Sequence, residues 1–397
     1  MAKKDRYRVV SGNYCSAYGA KLAQVDVIAA YPITPQTLIV EHASEFVNNG
    51  ELKAEYIRVE SEHSAMSACI AAEAAGARCF TATSSQGLAL MHEMLFIAGS
   101  ARLPIVMADV NRTVAGPIGI WCEFNDTMPQ RDCGWLQCYV EDNQEVLDME
   151  LMAYKIGENE KVLLPVMVNL DAFYLSHTVQ PVDLMDDEEC AKYVGKYKPK
   201  HCFIDPKNPI AIASFAPPDY IQETRWQTAK AMDESREVIR EVTKDFAKRF
   251  GRDYHGLIEE YMMDDAEVAL VTLGTVTGTA RDVVDEYRAK GKKVGLVKLR
   301  FFRPYPIEEM RKALSKVKAI GVYDRSISFG LGGPAYIDTK STLYGFSTPI
   351  VNYLAGLGGR DVTYVDIRKM FDDLLEIAKT GKVKRDIQWI KTRGVEF

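Results

Sequence analysis

Through the first half of the chain, short unbroken apolar runs alternate with longer stretches whose apolar positions recur at helical spacing. Residues 25–31, 56–59, 79–83 and 104–110 have the length and make-up of buried strands. Between them, residues 38–46, the alanine-rich stretch 62–75 closed by Gly76, and 91–98 read as helices. Strand, helix, strand at this rhythm predicts an α/β fold, a parallel sheet with helices on both faces. Two further apolar runs, 162–170 and 210–215, are expected to complete that sheet. Residues 217–263 are charged and helical in pattern, almost without a break over 230–249, and predict a bridge packed on the surface. A second α/β unit follows, with strands at 268–273, 293–298 and 319–324 and helices at 279–290 and 306–314. A helix at 370–379 and an irregular end complete it. The expected organisation is one domain over 1–240, linker helices to about 263, and a second domain over 264–397.

A length of 397 residues agrees with two or three domains at roughly 150 residues each. The formal net charge of −6 argues against a nucleic-acid binder, which would present a basic face. The eight cysteines form no CxxC pair, and the closest two, Cys133 and Cys138, fit no common zinc or iron–sulfur spacing. No metal site is expected in this chain. Scattered cysteines are the usage of reduced thiols in a cytoplasmic protein. The start, Met1-Ala2-Lys3-Lys4-Asp5-Arg6, lacks the apolar core of a signal peptide, and no run of about 18 apolar residues predicts a membrane span.

Open parallel sheets bind ligands at the carboxyl ends of their strands. Polar residues cluster at four such ends: Tyr31-Pro32-Ile33-Thr34-Pro35, Glu62 at the head of the alanine-rich helix, Ser84-Ser85-Gln86-Gly87, and Asp109-Val110-Asn111-Arg112. Each has a plain structural reading. Two prolines make a rigid turn. An acidic residue in a first helical turn is favoured by the helix dipole. Ser84 to Gly87 would serve as a turn and cap, and Arg112 as a surface cation. Weak singly, the four are informative together.

Together they resemble the alpha subunit of the 2-oxoacid:ferredoxin oxidoreductases. The resemblance rests on Tyr31 to Pro35, on Val59-Glu60-Ser61-Glu62 before a small-residue helix, and on Thr83 to Leu88. It continues through Asn111-Arg112, Gln130 to Trp135, Val162 to Val166, Leu170 to Phe173, Leu175 to Thr178, Tyr323-Asp324-Arg325 and Phe329-Gly330. It thus covers nearly the whole chain in order. It implies a thiamine-diphosphate pyrimidine-binding domain followed by a transketolase C-terminal-like domain. It implies oxidative decarboxylation of a 2-oxoacid to an acyl-CoA, with electrons passed to ferredoxin. Glu62 resembles the carboxylate that hydrogen-bonds the pyrimidine N1′ and favours the imino form, whose nitrogen removes the thiazolium proton; Glu60 is the less favoured candidate. Thr34 resembles the residue that hydrogen-bonds the substrate carboxylate or carbonyl, and Arg112 the one that pairs with the substrate carboxylate, for which a guanidinium offers two parallel bonds. Tyr31, Pro32, Ile33, Ser84, Gln86 and Gly87 are expected to line the cofactor.

The chain has no Gly-Asp-Gly motif of the magnesium-diphosphate type and no cluster cysteines. The resemblance therefore implies that Mg2+, the diphosphate grip and the [4Fe-4S] clusters belong to partner subunits of beta, gamma and delta type, with coenzyme A as co-substrate. The isolated chain is expected to be inert. Residues 113–128 depart from the family. Gly119 stands where pyruvate enzymes carry asparagine, and Phe124 where they carry histidine. Pyruvate is the default substrate. The alternative expectation is that glycine makes room and phenylalanine adds an apolar wall, giving a pocket for an aromatic 2-oxoacid such as phenylglyoxylate. A non-catalytic scaffold is the remaining alternative, disfavoured because it would not need Thr34, Glu62 and Arg112 together.

Overall fold

The computed structural model describes residues 6–394; of the charged N-terminal start, Met1 to Asp5 lie outside the described residues. Two sheets carry the fold. The larger has seven strands in the spatial order Phe301–Arg303, Leu136–Tyr139, Val166–Asp171, Val106–Asn111, Cys79–Thr83, Val27–Ala30 and Glu55–Arg58. All neighbours run parallel except the edge pair made by Phe301–Arg303. The smaller has six strands in the order Ile387–Trp389, Ile350–Leu354, Ala319–Asp324, Val268–Thr272, Val294–Leu299 and Ile258–Tyr261, parallel but for the last. Both sheets alternate with helices, as the apolar rhythm predicts.

Most expected elements lie where the pattern puts them, within a few residues. Residues 210–215 are a correction. They form no strand but an irregular, mostly exposed segment, with Phe215 92% exposed. Pro209, Pro217 and Pro218 flank the run, and proline cannot donate to a sheet ladder. The strand count is made up instead by Leu136–Tyr139 and by Phe301–Arg303, which returns from the second half of the chain. The bridge is a single helix, Pro218–Phe250. Proline at its first turn needs no hydrogen-bond partner, and Gly251 at φ +77° ends it in the left-handed conformation. Ala231, Ser235, Val238, Ile239, Val242 and Phe246 form its buried stripe at helical spacing.

The helix Asn143–Gly157 is buried along most of its length. From it Glu145 reaches Lys298 Nζ, on the strand Val294–Leu299 of the smaller sheet, and Arg300 Nε just beyond that strand, each at 2.5 Å. Burial pushes the Glu145 carboxyl up, but Lys298 and Arg300 outweigh it and hold it below its ordinary value. Asp171, ending a strand of the larger sheet, takes Arg325 Nη1 at 2.5 Å, and both are buried. The backbone adds a further tie, as Tyr139 N–H donates to the Arg300 carbonyl at 2.8 Å.

All eight cysteines are free thiols, seven of them buried. Among the described residues no helix is long and apolar enough to cross a membrane.

Candidate functional site

Four neighbouring strands of the larger sheet end in the four predicted polar segments. Ser61 caps the helix Glu62–Ala74 by accepting the Ser64 N–H at 3.3 Å, which starts the helix at Glu62. Small residues along this helix let it lie close to the sheet, with Ala65, Met66 and Cys69 against Val27, Ala29 and Leu88. Glu62 is 7% exposed, and among the described residues its carboxylate has no hydrogen-bond or ion-pair partner. Glu60 differs: it is exposed, and its carboxylate accepts from the Ser64 hydroxyl, which lowers its pKa.

Gly87 faces Glu62. A β-carbon at Gly87 would fall 2.5 Å from Thr83 Oγ1 and 2.6 Å from Glu62 Oε1, so no other residue fits there without displacing one of them. Thr83 Oγ1 is itself buried without a partner among the described residues. Unsatisfied buried polar atoms are uncommon in folded proteins. A bare carboxylate, an orphan hydroxyl and a missing side chain thus meet in one cradle. That donor and acceptor set fits the edge of an aminopyrimidine.

Arg112 follows Val106–Asn111 and is 6% exposed. Its guanidinium donates to the carbonyls of Thr34 at 2.7 Å and Gly119 at 3.1 Å, and to Gln86 Oε1 at 3.2 Å. All three acceptors are neutral, so the positive charge has no counter-ion at the head of the side chain. Burial lowers the Arg112 pKa, opposed by the Asp126 charge, yet a guanidinium stays protonated. The structure therefore brings together Thr34, Gln86 and Arg112. The proline loop that carries Thr34 is pinned from below by two buried amides. Asn13 donates to the Pro35 carbonyl at 2.8 Å, and Gln36 donates to the Ala82 carbonyl at 2.8 Å while accepting the Ile33 N–H at 3.2 Å. Tyr31 and Pro32, with Arg58 and Val59, border an open cleft of about 660 Å3 on the outer side of this loop. Ser84 turns inward and donates to the Val110 carbonyl at 2.7 Å, which ties two strands together.

Asn13, Gln36, Thr83 and Asp126 were not singled out by sequence as site residues. Asp126 lies under the site and is fully buried. It accepts the N–H of Arg112 at 2.7 Å and of Ser85 at 3.1 Å. Burial raises its pKa to about 6, against the pull of those donors. Their polarity alone could have marked them only once the neighbouring strands were known.

Phe124 corrects the expectation for the pocket wall. It is 1% exposed, edge-on to Tyr139 at 5.0 Å between ring centroids, with the Arg325 guanidinium 5.8 Å from its centroid. Its ring belongs to the core where the two sheets meet and offers nothing to a substrate. A β-carbon at Gly119 would meet Thr113 at 3.5 Å, an ordinary van der Waals contact. Of the two residues that suggested an aromatic substrate, Phe124 does not line the site, whereas Gly119 meets Arg112 through its carbonyl.

Comparisons with known proteins identify the family. The family model described as pyruvate flavodoxin/ferredoxin oxidoreductase, thiamine diphosphate-binding, matches residues 18–244. That of pyruvate:ferredoxin oxidoreductase core domain II matches residues 266–367. The pyruvate synthase subunit PorA of Pyrococcus abyssi is 50% identical over 387 residues, covering 97% of this chain and 98% of that one. PorA of Methanocaldococcus jannaschii is 52% identical over 367 residues, covering 92% and 94%. The ketoisovalerate oxidoreductase subunit VorA of Pyrococcus furiosus is 49% identical over 391 residues, covering 98% and 99%. Among solved structures, 2-oxoglutarate:ferredoxin oxidoreductase from Magnetococcus marinus, with 2-oxoglutarate, coenzyme A and succinyl-CoA bound, superposes with a TM-score of 0.72 at 18% identity. That match covers 94% of this chain and 65% of the other.

Proposed function

This chain belongs to the pyruvate flavodoxin/ferredoxin oxidoreductase family, and we propose that Glu62, Thr34 and Arg112 are its share of a thiamine diphosphate site completed by a partner chain. It is the alpha subunit of a coenzyme-A-dependent 2-oxoacid oxidoreductase, acting with thiamine diphosphate to turn a 2-oxoacid into an acyl-CoA and CO2. Pyruvate is the substrate we assign. The relatives are named as subunits, and this chain too works within a multi-subunit enzyme.

When bound, thiamine diphosphate supplies an acidic ring carbon and an electron sink for decarboxylation. The protein supplies position and charge. Glu62 holds a proton between its carboxylate and the pyrimidine ring nitrogen. Gly87, having no side chain, lets the Glu62 carboxylate lie against its backbone and so sets where that carboxylate stands. Ser84, Gln86 and the backbone of Tyr31, Pro32 and Ile33 border it. Arg112 uses three guanidinium N–H groups within the chain and has two left, enough to hold the substrate carboxylate in the planar two-bond manner. Thr34 donates to the same carboxylate or to the 2-oxo group. The single observation that carries this reading is the unpartnered Glu62 carboxylate against the missing side chain of Gly87.

We assign residues 1–240 to the pyrimidine-binding domain and 264–397 to a transketolase C-terminal-like domain that lends the strand Phe301–Arg303 back to the first sheet. Mg2+ and the diphosphate grip fall to a beta-type subunit. The [4Fe-4S] clusters fall to the partner subunits, of beta, gamma and delta type, and ferredoxin takes the electrons. The setting is the cytoplasm. The test is Glu62→Ala in the co-expressed complex. Pyruvate-dependent acetyl-CoA formation should fall by about 10²–10⁴-fold while the subunits still co-purify. Full activity in that variant would discard the assignment.

A further inference from the structure

We propose that Asp126 is the positioning residue that sets Arg112 for the 2-oxoacid, an inference that rests on the reading of Arg112 given above. The Asp126 carboxylate is buried and accepts four N–H groups. Oδ2 takes the backbone N–H of Arg112 at 2.7 Å and that of Ser85 at 3.1 Å. Oδ1 takes the Thr127 N–H at 2.8 Å and Asn111 Nδ2 at 3.2 Å. Two of these clamp the arginine from opposite sides. The first fixes the Cα from which the Arg112 side chain leaves. The second fixes Ser85, which sits at φ +51°, a conformation that a non-glycine residue keeps only when its surroundings hold it there. Next to Ser85 is Gln86, whose Oε1 is the only side-chain acceptor of the guanidinium among the described residues. A second bond, from Ser85 Oγ to the Thr113 carbonyl at 2.7 Å, ties the same turn to the chain just after Arg112.

The chemistry demands aspartate at this point. All four partners are donors, so the group between them must accept at both oxygens. An asparagine would turn its NH2 toward two donors whichever way its amide faced. The carboxylate also stands behind the backbone of Arg112, away from the three neutral acceptors at the guanidinium head. It can therefore hold the arginine without neutralising the end that meets the substrate.

The experiment is a double-mutant cycle in the assembled enzyme, comparing Asp126→Asn, Arg112→Ala and the pair, with pyruvate as substrate. Asp126→Asn should raise the KM for pyruvate at least tenfold. Its affinity for thiamine diphosphate, titrated by fluorescence quenching of the cofactor-free complex, should stay within threefold of the parent. On the Arg112→Ala background the same substitution should cost less than twofold in kcat/KM. A full multiplicative loss on that background, or an unchanged KM in the single variant, overturns the inference. Should Asp126→Asn fail to assemble, Asp126→Glu replaces it in the cycle, with the same outcomes deciding, since it keeps the charge and shifts it by one methylene. An unchanged KM in Arg112→Ala alone would instead remove the site reading beneath it, and the inference with it. A raised KM there with independent losses removes the inference only.

Discussion

Glu62 Oε1 stands 2.6 Å from the point where a β-carbon on Gly87 would sit. The helix that carries Glu62 and the turn that carries Gly87 are thus fitted to each other with no room for a methyl group. Gly87→Ala should push the carboxylate aside. A misplacement near 1 Å at a catalytic group costs about a hundredfold in rate. We expect kcat to fall by about that factor with the complex intact, measured by steady-state turnover beside subunit co-purification. Parent-like turnover would mean that the cradle is not where the chemistry happens.

Arg112→Lys should be nearly as damaging as Arg112→Ala. Lysine is a point charge and cannot make two parallel bonds to a carboxylate, nor reach the Thr34 and Gly119 carbonyls and Gln86 at once. We expect kcat/KM for pyruvate to drop by at least about tenfold, or about 1.4 kcal/mol, in both. Rescue by lysine would reduce the role of Arg112 to simple charge.

Phe124→Ala should act on stability and not on substrate choice. Removing a fully buried phenylalanine costs about 3–5 kcal/mol. The ratio of rates with pyruvate and phenylglyoxylate should stay that of the parent, in favour of pyruvate. A shift of that ratio toward the aromatic acid would restore Phe124 to the pocket.

Glu150 supplies a pH dependence. It is fully buried, Oε1 accepts from Ser16 Oγ at 2.7 Å, and Oε2 has no partner among the described residues. Burial raises its pKa to about 8, only partly offset by Ser16. The folded state therefore keeps a proton that the unfolded chain, with an ordinary carboxyl near pH 4.3, gives up. Stability from this group is present below the unfolded value and is lost as pH rises through about 8, by at most about 1.4 kcal/mol per pH unit. Glu150→Gln should flatten that slope and raise the melting temperature more at pH 8 than at pH 5. Equal gains at both values would show that Glu150 is ionised throughout.

Asp171→Ala should leave the Arg325 guanidinium buried without its counter-charge, and stability should fall by about 3–5 kcal/mol in denaturant titrations. A loss below about 1 kcal/mol would mean that Tyr323 and Cys122, the other hydrogen-bond partners of the guanidinium among the described residues, suffice.

The parallel arrangement and the strand ends were legible because most strands of the larger sheet are short, buried and largely apolar and stop near a change to polar residues. That logic placed Thr34, Gly87 and Arg112 just after strand ends and Glu62 at the head of a helix. It failed for residues 210–215, where apolar content without a partner strand gave a loop. It missed Phe301–Arg303, three residues that pair with a strand more than 160 positions earlier, because nothing local marks a long-range edge. It also misjudged Phe124, since a sequence shows that a ring is present but not which way it faces. Asp126 shares that limit: its worth lies in four donors drawn from three separated segments.

The strand Phe301–Arg303 closes the border of the sheet that holds the site. A fragment cut anywhere in the long helix would leave Leu136–Tyr139 as a bare rim of unpaired amides, and such rims recruit other chains into aggregates. It would also strand Glu145 in the interior with neither Lys298 nor Arg300 to answer it. The two halves are thus bound by a loaned ribbon, and any attempt to produce the first half as a separate reagent must carry the chain past Arg303 to keep it soluble.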